Sequence, residues 1–222
     1  MQGTEITIPI PAEDVHLKGE LSLSDDSSGL VLFAHGSGSS RHSPRNQFVA
    51  RMLRDAGVGT LLFDLMTAEE ETAEANTRHL RFDIPFLARR LVTATQWALD
   101  EATTRDISVG YFGSSTGAAA ALVAAAELPE EVNVVVSRGG RPDLAGDALE
   151  RVRASTLLIV GAKDTTVVSL NEEAYGRLQC QKALRIVPRA THLFEEPGTL
   201  ETVARMASEW FVDHFQPMGK AR

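Results

Sequence analysis

Residues 107–117 read Ile107-Ser108-Val109-Gly110-Tyr111-Phe112-Gly113-Ser114-Ser115-Thr116-Gly117. The first six read as a buried strand, and the last five fit the pattern G-x-S-x-G. Ala118 to Ala126 follow as the small, apolar residues of a tightly packed helix. Strand, sharp turn and helix in that order lift a central serine clear of a sheet and aim a helix N-terminus at it. The glycines allow the strained dihedrals and close backbone approach that such a turn requires. Ser115 is therefore the candidate nucleophile, and Ser114 is the variable position beside it.

The sequence on either side supplies the rest of a sheet. Upstream, Glu5–Ile10 and Val15–Leu23 alternate apolar and polar residues, the pattern of a hairpin at a sheet edge. The pattern then changes: Leu30–Ala34 is a continuous apolar strand, and Thr60–Phe63, Val132–Val136, Thr156–Val160 and Leu184–Val187 read as further strands. Helices are expected at about 46–56, 82–100 and 200–215, and acidic Glu69-Glu70-Glu71 reads as a solvated loop or helix start. Apolar strands alternating with helices predict an α/β fold. Its central sheet is mostly parallel, with about seven or eight strands, covered by helices on both faces and edged by the antiparallel hairpin. No linker or repeat divides the chain, so residues 1–222 are expected to form one domain.

In such sheets functional groups gather at the carboxyl ends of the strands. Those ends carry Gly36-Ser37-Gly38, Asp64, Ser115, Arg138, Asp164 and His192. A serine hydroxyl needs a base to take its proton, and the imidazole that does so needs a carboxylate to fix its tautomer. His192 is the candidate base and Asp164 the candidate acid, giving the chain order Ser115, Asp164, His192. His35 reads as a loop-ordering residue, Asp143 as part of a turn or helix cap, and Glu195 and Glu196 as too close to His192 to reach its ring. Backbone amides supply the oxyanion site: Thr116, after the nucleophile, and Ser37 or Gly38, in the loop after the first parallel strand. Arg138 and Arg141 are candidates for binding a substrate carboxylate, with a salt bridge to the region of Asp143 or Asp147 as the alternative.

Composition narrows the function classes. A net charge of −8 argues against nucleic-acid or anionic-membrane partners. The single cysteine, Cys180, excludes an intrachain disulfide and lacks a glycine elbow of its own. No basic and apolar leader is seen at Met1–Ile6, and the longest apolar run is far short of the ~20 residues of a membrane span. A cytoplasmic location is the expectation. The loop from His35 to Ser40 lacks the third glycine of G-x-G-x-x-G, and no metal-ligand spacing appears, so no cofactor or metal is expected. The oligomeric state is not legible.

His35-Gly36-Ser37-Gly38, Gly113–Gly117, Gly161-Ala162-Lys163-Asp164 and Thr191-His192-Leu193-Phe194 together resemble the α/β-hydrolases, and among them the small, capless dienelactone-hydrolase-like branch. The resemblance covers nearly the whole chain. It implies hydrolysis of carboxylic esters through an acyl-enzyme, with lactones, thioesters and amides open to the same triad. Dienelactone hydrolases use cysteine where this chain has Ser115, which shifts the expected substrate from dienelactone to ordinary esters. The segment between Val136 and Thr156 is too short for a helical lid, which predicts an open site for small, soluble acyl groups. A non-catalytic ligand-binding or interaction protein of the same fold is the alternative.

Overall fold

Leu30–Ala34 and Gly59–Phe63 are buried at every position, as only strands covered on both faces can be. They lie near the centre of an eight-stranded sheet in a computed structural model that describes residues 4–77, 79–101, 103–104 and 107–215. The strands are β1 (Thr4–Ala12), β2 (Val15–Leu23), β3 (Leu30–Ala34), β4 (Gly59–Phe63), β5 (Val109–Ser114), β6 (Val132–Arg138), β7 (Ser155–Gly161) and β8 (Lys182–Val187). Their spatial order is β1-β2-β4-β3-β5-β6-β7-β8. The β1–β2 hairpin joins β4 antiparallel, and the strands from β4 to β8 run parallel.

The helices are α1 (Pro44–Asp55), α2 (Ala68–Thr77), α3 (Ile84–Asp100), α4 (Thr116–Glu127), α5 (Thr165–Arg177) and α6 (Thr199–His214). Three of their starts are set by side-chain caps, that of α2 by Thr67 Oγ1, which accepts the Glu70 N–H at 3.2 Å while Glu70 Oε2 accepts the Thr67 N–H at 2.8 Å. Ser43 Oγ accepts the Asn46 N–H ahead of α1, and Asp83 Oδ1 accepts the Phe86 N–H ahead of α3. The Asp83 cap places the start of α3 two residues beyond the expected Phe82. Pro44 and Pro85 sit in first turns, where a missing N–H costs nothing.

The sheet separates two apolar layers. On one face Leu87, Leu91 and Ala94 of α3 meet Ala120 and Ala124 of α4 over Leu32, Leu61 and Tyr111. On the other, Val49 and Leu53 of α1 join Val203, Ala207 and Phe211 of α6 over Phe33, Phe112 and Val136. Each large side chain buried this way contributes about 1.5–3 kcal/mol over its exposed state. α4 is buried nearly all round, and its alanines let α3 and the sheet approach closely.

Several segments refine or depart from the sequence expectation. Residues 107–108 precede β5 rather than opening it, and the strand runs on to Ser114. Of the two readings of Glu69-Glu70-Glu71, the structure has the helix start: they form the first turn of α2, which Arg90 ties to α3 through Glu70 at 2.7 Å. α5 is not expected from the sequence, because its buried apolar positions (Val167, Ala174) are too few for a strong helical stripe. The connection from β6 to β7 folds as a 3-10 segment, Pro142–Arg151, kinked at Gly146. No helix among the described residues is long and apolar enough to cross a membrane.

Candidate active site

The sharp turn after β5 is built by steric exclusion. A Cβ added to Gly117 would lie 2.1 Å from the Ala34 carbonyl oxygen, so only glycine lets the start of α4 pack on the end of β3. A Cβ on Gly113 would lie 2.5 Å from Ala118 Cα. Between them Ser115 is held at φ 51°, ψ −122°, a strained conformation for a residue with a Cβ. Three main-chain bonds hold it there. Its N–H donates to the Arg138 carbonyl (3.4 Å), and its carbonyl accepts from Ala118 N–H and Arg141 N–H (each 3.1 Å).

Asp164 and His192 reach the same place from β7 and β8. The turn after β7 closes with Asp164 N–H donating to Gly161 O at 3.0 Å. This puts Asp164 at the N-cap of α5, yet its carboxylate caps no helix amide. It instead accepts from His192 Nδ1 at 2.6 Å. That bond assigns the imidazole proton to Nδ1 and leaves Nε2 as the acceptor. The carboxylate is the more enclosed partner, with its side chain 18% exposed against 39% for the imidazole. The His192 loop is anchored on both sides: Lys163 N–H donates to Ala190 O (2.9 Å), and Thr191 N–H donates to Glu196 Oε2 (3.0 Å). That amide is also the main influence holding the Glu196 carboxyl below its ordinary range. Ser115 and His192 line one cavity, and no hydrogen bond joins them here. Such a contact commonly tightens only around bound substrate.

The loop after β3 lies against the nucleophile. A Cβ on Gly36 would come within 3.1 Å of Ser115 Cβ. His35 fixes the start of this loop: its Nε2 accepts Leu65 N–H and its Nδ1 donates to Gly36 O, each at 3.0 Å. Burial lowers the His35 pKa, which keeps the ring neutral as this pair of bonds requires. The expected oxyanion donors need one correction. Ser37 N–H already donates to Thr116 Oγ1 at 3.0 Å, so it is not free to meet an oxyanion in this arrangement. Thr116 N–H opens α4, where no intrahelical acceptor is available to it. Gly38, at φ 71°, lines the same cavity as Ser115.

The cavity holds about 650 Å³ and is lined by Ser115, His192, Gly38, Arg45, Arg81 and Arg138, among others. Arg138 is 7% exposed, and its Nε and Nη1 have no hydrogen-bond acceptor. Burial, with Arg45 as a nearby like charge, pulls its pKa down to about 10, so it remains a cation at neutral pH. Arg141 does not join it. Its guanidinium makes a two-pronged pair with Asp143 (2.9 and 2.7 Å), the salt bridge that was the alternative to substrate binding, and so also occupies Asp143. Asp64 is likewise taken, by Arg41. Sequence reasoning missed Arg45 and Arg81. A signal was present for Arg45, since a cation in the first turn of α1 opposes the helix dipole.

A dienelactone hydrolase from Anabaena variabilis is 56% identical, covers 97% of this chain and all of its own, and superposes with a TM-score of 0.96. The chain belongs to the dienelactone-hydrolase family. The wider α/β-hydrolase fold is shared by Est1E from Butyrivibrio proteoclasticus, at 14% identity, TM-score 0.78, and coverage of 93% of this chain and 98% of that one. Two Mycobacterium tuberculosis proteins, each named "Putative phosphoribosyl transferase", are 54% identical over 207 residues. Those residues are 93% of this chain and 46% of theirs, so it spans about half the length of these relatives. No protein-family model matches the chain. Within the dienelactone-hydrolase family, Ser115 is the residue this chain carries at the elbow.

Proposed function

We propose that the protein is a serine hydrolase that cleaves small carboxylic esters through an acyl-enzyme on Ser115. The observation that carries the reading is the 2.6 Å bond from His192 Nδ1 to Asp164, in a cavity that the strained Ser115 also lines. In this reading Nε2 of His192 takes the hydroxyl proton as Ser115 Oγ attacks the ester carbonyl. The carbonyl electrons move onto oxygen, and Thr116 N–H meets the resulting oxyanion, with Gly38 N–H as the second donor. His192 then returns its proton to the departing alkoxide. Water repeats the sequence to release the acid and restore Ser115. Asp164 holds the tautomer and faces the imidazolium that forms in each half.

The substrate is small and polar in this proposal. The segment from Pro142 to Arg151 packs alongside α4 rather than over the cavity, and none of its residues lines it. α2 and the 3-10 turn at Leu80–Phe82 come nearest to a cover, and they bring Glu71 and Arg81 rather than apolar side chains. The transferase name is not carried over. It belongs to proteins of which this chain matches under half.

The test is labelling of the folded protein with a fluorophosphonate probe, with Ser115→Ala as control. Labelling of wild type alone, together with turnover of p-nitrophenyl acetate, supports the hydrolase. Folded wild type that neither labels nor turns over would instead be a ligand-binding member of the family.

A further inference from the structure

We propose that the cavity beside Ser115 seats a phosphate group carried by the ester substrate, held by Arg138, Arg45 and Arg81. The proposal rests on the esterase reading and names the class of ester; the phosphate is a handle and is not itself cleaved.

Arg138 is the observation that demands a ligand. The other deeply buried guanidinium among the described residues, that of Arg90, is 5% exposed and is paired with Glu70 at 2.7 Å and with the Ala12 carbonyl at 3.0 Å. Arg41, half-buried, has both Glu20 and Asp64. Among the described residues, Arg138 Nε and Nη1 have no carboxylate and no carbonyl, and the electrostatic neighbour of the guanidinium is a like charge, Arg45. An unpaired buried charge is costly, and a sequence keeps one where something else supplies the counter-charge. The cavity is where that counter-charge can enter.

Two further nitrogens in the same lining are sealed from solvent without a hydrogen-bond acceptor, Arg45 Nε and Arg81 Nε. Their carboxylates are poor substitutes. Glu195 meets Arg45 at 3.4 Å but is 65% exposed, and Glu74 meets Arg81 at 3.5 Å while also capping the His79 and Arg81 amides. The lining thus carries three guanidinium groups against one carboxylate, Glu71, a difference of two charges. A carboxylate would answer one charge with two oxygens. A phosphate monoester answers two charges with three terminal oxygens, one for each arginine, in the geometry that guanidinium groups favour.

The experiment uses the full chain. Inorganic phosphate is titrated by calorimetry, and kcat/KM is measured for acetate esters of one short alcohol bearing a terminal phosphate, a carboxylate or a hydroxyl. Saturable phosphate binding is expected, with phosphate competing against substrate. The phosphate ester should be preferred to the hydroxyl ester by roughly a hundredfold, and to the carboxylate ester by a smaller margin, as charge-assisted hydrogen bonds imply. Arg138→Met and Arg45→Gln should each cut that preference about tenfold. Arg45 is at the surface end of the set, so its variant keeps the test alive if Arg138→Met does not fold. Equal kcat/KM for the phosphate and hydroxyl esters, or preference for the carboxylate, overturns the proposal while fluorophosphonate labelling of Ser115 still stands. Phosphate binding without Ser115 labelling would overturn the esterase reading and leave the anion site.

Discussion

Asp164→Asn isolates the charge that the proposed mechanism needs. The carboxylate lies 2.6 Å from His192 Nδ1, which puts the centres of the two delocalised charges roughly 4 Å apart once the imidazole is protonated. At an effective dielectric near 20 such a pair is worth about 4 kcal/mol. The charge on His192 exists only as the serine proton is being taken, so nearly all of this falls on the transition state, giving about a 10³-fold loss of kcat/KM. Asparagine adds a second fault: it can turn its amide N–H toward Nδ1, reversing the tautomer and leaving Nε2 unable to accept a proton. The expected loss is therefore 10³- to 10⁴-fold on p-nitrophenyl acetate, with the fold retained as judged by melting temperature. Asp143→Asn is the control, since Arg141 occupies that carboxylate; its rate should stay within about twofold of wild type. A loss below tenfold for folded Asp164→Asn would refute the assigned role.

Ser115→Ala should abolish ester hydrolysis by at least ~10⁴-fold, because nucleophile and base act as a unit, whereas Ser114→Ala should cost far less; the reverse order would show that the register of the elbow is misread. His35 should link stability to pH. Its folded pKa lies below the ~6.5 of the unfolded chain, so the unfolded state alone takes up a proton as pH falls below that value. Stability should then drop by up to ~1.4 kcal/mol per pH unit until the folded pKa is reached, and this increment should vanish in His35→Gln, as chemical denaturation between pH 7 and 5 would reveal. Among neutral esters kcat/KM should peak at acyl chains of roughly two to six carbons, because a cavity this polar cannot collect ~0.8 kcal/mol for each further methylene; a steady rise to long chains would show that some segment closes as an apolar lid. Arg138→Met should raise the melting temperature in phosphate-free buffer by a few degrees, about 1 kcal/mol in a chain this long, since it removes an unpaired buried charge; a fall would mean that the guanidinium has partners that hold it.

The sheet and its order of chemistry were legible because each rests on a local signal. Leu30–Ala34 is apolar without interruption and Val132–Val136 is broken only by Asn133, and the residues that follow such runs lie at strand ends. The elbow was legible because Gly113 and Gly117 are imposed by contacts that no Cβ survives. What stayed hidden depends on which partner a polar group finds in space. Arg138 and Arg141 read alike in sequence, three residues apart at one strand end, and only their surroundings separate them. Arg141 lies in a turn with Asp143 two positions on, whereas the last residue of β6 points its side chain where no acid follows. The Thr116 hydroxyl engaging Ser37 N–H joins residues 79 positions apart and has no local signature. α2 was ambiguous for a related reason: its acidic first turn suits a helix N-terminus, but its apolar face is too weak to declare a buried side.

The end of β6 links the elbow to the cation in the cavity. Arg138 contributes twice to the same neighbourhood: its carbonyl accepts the Ser115 N–H and helps hold the strained turn, while its side chain leaves a positive charge in the cavity that Ser115 lines. The first amides of α4 add the positive end of a helix dipole at the same point. A chain of net charge −8 therefore concentrates positive potential where the proposed oxyanion would form, and where an anionic substrate would have to enter. The sign of that potential accounts for features that are each unfavourable alone: an arginine in the first turn of α1, an arginine buried without an acid, and a serine at positive φ. Stability by itself would remove all three. Their presence together around one cavity is explained if the missing counter-charge arrives with the substrate, so that binding relieves the repulsion between Arg45 and Arg138 at the moment the ester carbonyl is brought to Ser115.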